Sequence, residues 1–122
     1  MILFLLLFSA KSAAAEPAKI IPSFSMNGYS LAQFPNFQFN WHFVTVRFRK
    51  DTAEMRFTYA NDLAWNALLA GGKEYPEGAV FAKIGVATQD DPAFLSSAVP
   101  SGARRYQFMV RNRQKHKNTD GW

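Results

Sequence analysis

In the stretch EYPEGAVFAKIGVA, Glu74 to Ala87, one lysine interrupts an otherwise apolar strand. Tyr75-Pro76-Glu77-Gly78 has turn composition, and Ala79 to Val86 has the β-branched and aromatic content of a strand. By strand parity Lys83 shares its face with Ala79, Phe81 and Gly85, while Val80, Ala82, Ile84 and Val86 take the other. The second set is core. The first set mixes small, aromatic, cationic and glycine positions. A flat ligand fits such a face with the Lys83 amine at its edge, and Gly85 admits close approach to the backbone. A solvated edge-strand lysine that blocks aggregation explains the same pattern, and spacing alone leaves both explanations open.

Other chemistry is sparse. His42 and His116 are the only histidines; neither belongs to a ligand cluster, and a metal site needs several converging ligands. His42 falls on a strand and His116 in a charged loop, so each is expected to be structural or exposed. Asp90-Asp91 precedes Pro92 and reads as a turn rather than an acid–base pair. The chain has no Gly-rich phosphate loop, nucleophile elbow or H-E-x-x-H. With no cysteine it has no disulfide, thiol nucleophile or Cys-ligated zinc. The basic run RRYQFMVRNRQKHK, Arg104 to Lys117, alternates its charges with apolar residues, which makes a wet strand face rather than a nucleic-acid patch.

The elements that must position Lys83 follow from periodicity. Val44, Val46 and Phe48 alternate with Thr45, Arg47 and Arg49, and Met55, Phe57 and Tyr59 alternate with Glu54, Arg56 and Thr58. Joined by the turn Lys50 to Ala53, these two runs predict an antiparallel hairpin with one wet face. A helix is expected next. Asn61 suits its N-cap, Asp62 its positive end and Gly71 its C′ position, and Ala64, Trp65, Leu68 and Leu69 make its apolar stripe. Phe94 to Arg104 has loop composition. Arg105 to Arg111 then predicts a strand with Tyr106, Phe108 and Val110 on one face and Gln107, Met109 and Arg111 on the other. Glu16 to Asn40, with Pro17, Pro22, Pro35 and scattered aromatics, predicts an extended arm laid over the core. The expected class is α+β, mainly antiparallel β-sheet with one or two short helices.

At 122 residues with 48% hydrophobic and 16% aromatic content, the chain suits one folded domain with a single core. MILFLLLFSA has the character of a signal-peptide apolar region, and Ala13-Ala14-Ala15 offers a small-residue cleavage site before Glu16. No Lys or Arg precedes that run, which departs from the usual pattern. Residues 1–15 are therefore expected to be a signal peptide, with 16–122 the exported domain, and the expected location is a bacterial periplasm. No membrane span is expected after signal removal. Loss of Lys11 with the leader lowers the formal charge of +5 by one, too little to imply nucleic acid.

RFRKDTAEMRFTYANDLAWNALLAGGKEYPEGAVFAKI, Arg47 to Ile84, and SGARRYQFMVRN, Ser101 to Asn112, together resemble the cytochrome P-460 family of periplasmic haem proteins. The resemblance spans roughly residues 34 to 122 and rests on strand, capped helix, Pro/Glu/Gly turn and strand lysine in the same order. It implies a cytochrome P-460-like fold, haem c as cofactor, and a covalent link from Lys83 to the edge of the macrocycle. Phe81, Phe108 and Met109 follow as pocket-lining candidates. It implies oxidation of hydroxylamine or nitric oxide, electron transfer to a partner cytochrome, and a homodimer. The related β-type cytochromes c′ bind small gases without turnover and lack the link. The family attaches haem through C-x-x-C-H near its C-terminus, and this chain has no cysteine and ends at Asp120-Gly121-Trp122. The domain is accordingly expected to be incomplete at its C-terminus, with a haem-free interaction or structural role as the alternative.

Overall fold

The computed structural model describes residues 28–122. The expected signal peptide and the first part of the arm lie outside the described residues. Four strands form one antiparallel sheet in the order β1-β2-β3-β4: β1 His42–Arg49, β2 Glu54–Ala60, β3 Val80–Asp90 and β4 Ala98–Val110. Each strand pairs with its chain neighbour, as short connections favour. The class is the expected α+β one.

One face of the sheet carries the main core. Val80, Ala82, Ile84 and Val86 of β3 join Tyr106, Phe108 and Val110 of β4 there, as parity requires. The arm covers this face. Its described part contains one 3-10 turn, Leu31–Gln33, and a short helix α1, Phe37–Asn40. Asn36, in the left-handed region at φ 57°, turns the chain so that Phe37 enters the sheet. Phe37 is fully buried and meets Tyr59, Tyr106 and Phe108 edge-on, with ring centroids 5.5, 6.1 and 5.4 Å away. Those geometries suit aromatic quadrupoles.

Helix α2, Asp62–Leu69, lies against the other face near the starts of β1 and β3. Asn61 caps it as expected and also ties it to the sheet. Its Oδ1 accepts from Ala64 N and Val80 N, both at 3.0 Å, and its Nδ2 donates to Gly78 O at 2.8 Å. The helix ends where Gly71 takes φ 108°. Ala64 is buried beside Ala60 and Ala79, with Trp65 packed on them. Leu69 departs from the expected stripe and is 68% exposed, because the chain reaches its end cap there, at Ala70.

Two further departures have local causes. A register shift between Phe43 and Thr45 frees Val44, which packs on the Ala60–Ala64–Ala79 cluster while Val46 and Phe48 pair with Phe57 and Met55 on the core side. Strand β4 starts at Ala98 rather than Arg105. Its first half holds Pro100 and Gly102, which hide a strand by composition. An edge strand tolerates Pro, and the register shifts at Gly85/Val86 and Ala87/Thr88 lie opposite this half. Trp122, the last residue, packs on Tyr75 and Phe81.

Candidate functional site

Directly paired residues in an antiparallel sheet share a face, so pairing arranges the Lys83 side in rows across the strands. One row reads His42, Ala60, Phe81, Met109, the last three apolar. The next reads Thr45, Thr58, Lys83, Gln107, and the third Arg47, Arg56, Gly85, Arg105. Lys83 therefore sits between an apolar row and a cationic one, each about 7 Å away along the strand.

The cationic row is organised by Glu54, which the sequence alone did not single out. Its side chain is 2% exposed and lies across β3. Oε1 accepts from Arg56 Nε at 2.7 Å, and both oxygens accept from Arg105 Nη2 at 2.8 and 2.9 Å. A Cβ on Gly85 would stand 2.9 Å from Glu54 Cδ and Oε1. The close approach that Gly85 permits is thus made by a carboxylate of the protein itself rather than by a ligand. Burial pulls the Glu54 carboxyl upward, but the hydrogen bonds and charges of Arg105 and Arg56 outweigh it and hold the group below the usual glutamate range.

Lys83 is half-buried, and among the described residues it has no hydrogen-bond or ion-pair partner. Burial, followed by the charges of Arg56, Arg47 and Arg105, lowers its pKa from the ordinary lysine value, with Glu54 opposing weakly. The bland explanation, a fully solvated edge lysine, does not fit: β3 is an interior strand, paired on both sides.

The other expected site residues divide. Phe81 is next to Lys83 on the same face, but its ring is engaged by Tyr75 and Trp122, at centroid distances of 5.4 and 6.1 Å. Met109 lies opposite Phe81 and is exposed. Phe108 is on the other face of the sheet, buried against Phe34 and Phe37, since neighbours on a strand point to opposite sides. It therefore does not join Lys83. Arg47, Arg56 and Arg105 read in sequence only as a wet strand face. Pairing alone reveals that they converge on one lysine.

A family model described as Cytochrome P460 matches residues 35–122. The chain belongs to the cytochrome P460 family. No curated protein matches it. Membership in a haem-protein family makes the Lys83 face the place to test for a macrocycle. Apolar Met109 and Phe81 with Trp122 on one side, and arginines on the other, fit an amphiphilic ring bearing carboxylates. The iron finds no such fit. The chain has no cysteine for thioether bonds. His42 Nε2 is hydrogen-bonded to Asp62 Oδ1 at 2.7 Å, with its ring stacked on Trp65. His116 is buried and bonds the Tyr29 hydroxyl at 3.2 Å. No group of three or more His, Asp or Glu among the described residues could hold a metal ion, and none of their helices is long and apolar enough to cross a membrane.

Proposed function

We propose that the chain belongs to a periplasmic haem c oxidoreductase acting on hydroxylamine or nitric oxide, with Lys83 linked covalently to the edge of the macrocycle. The observation that carries this proposal is the state of Lys83: a half-buried amine on an interior strand, with no ion-pair partner among the described residues and crowded by arginines. A lysine bonded to a ring carbon no longer incurs the cost of a buried charge. Bound haem would supply one-electron chemistry and an open coordination position for a small nitrogen compound. This chain's part is to seat the ring, with Lys83 at its edge and the apolar row beneath it. Electrons would pass to a partner cytochrome, and a homodimer is consistent with the family. Export by the leader 1–15 belongs to the same proposal.

The deciding experiment is peptide mass spectrometry on protein isolated from its native source. The peptide carrying Lys83 is expected to bear the macrocycle. Bound haem with an unmodified Lys83 would favour the gas-binding branch of the family and defeat the covalent link. Protein isolated without haem would favour a haem-free interaction domain, the alternative that the missing cysteine and the two engaged histidines support.

A further inference from the structure

We infer that Arg47, supported by Arg56 and Arg105, forms a carboxylate-binding subsite that orients an amphiphilic planar ring on the Lys83 face. The inference rests on the macrocycle proposal above and adds which way round the ring lies. Arg47, Arg56 and Arg105 occupy one row across β1, β2 and β4. Glu54 pairs with Arg56 and Arg105. Arg47 has no ion-pair or hydrogen-bond partner among the described residues, whereas its strand neighbour Arg49 is paired with Asp51.

The excess charge is built in rather than scattered. The charges of all three guanidinium groups act on Lys83, and Glu54 is the one carboxylate that opposes them there. Glu54 is itself held between Arg56 and Arg105 by three hydrogen bonds, so it cannot swing out to neutralise Arg47. An incoming carboxylate on Arg47 would relieve the repulsion felt by Lys83, and guanidinium forks favour such planar anions. The apolar row of Phe81 and Met109 lies on the other side of Lys83. The bound ring consequently directs its carboxylates toward Arg47 and its apolar edge toward Met109 and Trp122.

The test titrates the full chain with metal-free deuteroporphyrin IX and, separately, with its dimethyl ester, following quenching of tryptophan fluorescence. Trp122 packs on Phe81 and reports from the site. The diacid is expected to bind about tenfold tighter than the ester, as one charge-assisted contact allows. Arg47→Ala should remove most of that preference and leave ester binding unchanged. Arg47→Lys should restore part of it, and Lys117→Ala, in the C-terminal turn, should leave it intact. Arg47 is exposed and has no ion-pair partner among the described residues, so the fold should survive, which circular dichroism checks. Equal binding of diacid and ester, or a diacid preference insensitive to Arg47, overturns the subsite and leaves the macrocycle proposal standing. Failure of the wild-type chain to bind either porphyrin overturns both.

Discussion

The carboxylate of Glu54 lies over the backbone of Gly85, where a methyl group would stand 2.9 Å from its Cδ. Through that gap β2 reaches Arg105 on β4, one strand beyond its own neighbour. Gly85 is needed here for space, since its φ lies outside the left-handed region. Gly85→Ala should therefore destabilise the domain by about 1–3 kcal/mol, the usual range for overpacking. In a Glu54→Ala background the same substitution should cost much less, because the obstructing carboxylate is gone. Urea unfolding of the four proteins in this cycle measures the coupling. An unchanged cost in the double variant would show that Glu54 does not occupy the gap.

Glu54 also sets an acid limit on stability. Its folded pKa lies below the ordinary value of 4.5, so the unfolded chain binds the proton first as pH falls. The stabilisation is complete above pH 4.5 and is lost as pH drops through the folded value. Breaking the bridge with Glu54→Gln should cost about 1–3 kcal/mol at neutral pH. That is below the 3–5 expected for fully buried pairs, because the side chains of Arg56 and Arg105 are 21% and 36% exposed. The variant should also show a flatter acid limb in thermal midpoints measured from pH 3 to 7. An acid limb as steep as that of wild type would place the sensitivity elsewhere, for instance at Asp51, Glu77 or Asp91, whose carboxyls are also held low.

Phe37 tests the arm. It is fully buried between the arm and the sheet, and truncating such a ring leaves a cavity that the rigid strands beneath cannot close. Phe37→Ala should cost about 3–5 kcal/mol. The neighbouring exposed Phe39, changed to Ala, should cost under about 0.5 kcal/mol. Chemical denaturation of both variants separates a core arm from a loosely attached one.

Much of this architecture was legible because it rests on local rules. The parity of Val80 to Val86 fixes the buried face of β3, and Asn61 with Gly71 marks the ends of α2 before any contact is known. What was not legible depends on pairing between distant strands. Arg47, Arg56 and Arg105 are ordinary wet-face residues one strand at a time, and only the register brings them together around Lys83. Phe108 and Met109 are adjacent in sequence, so choosing between them required knowing which face Lys83 takes relative to the arm. The first half of β4 was obscured by Pro100 and Gly102, residues that an edge strand accepts and an interior strand would not.

Lys83 provides the last test, and its sign is opposite to that of Glu54. Burial and the charges of Arg56, Arg47 and Arg105 place its folded pKa below the ordinary 10.5. Between those two values the unfolded chain holds a proton that the folded chain has released, so stability rises with pH across that window. Below the folded value the full penalty for a crowded ammonium is present. In protein free of any macrocycle, Lys83→Met should raise the thermal midpoint at pH 7, and the gain should shrink as pH approaches 10.5. Met keeps most of the stem packing against Thr58 and Gln107 positions while removing the charge. Differential scanning calorimetry of both proteins at pH 7, 9 and 10.5 provides the comparison. A lower midpoint for Lys83→Met at every pH would mean that the ammonium is satisfied in the free domain, and the cationic crowding that supports both proposals would lose its force.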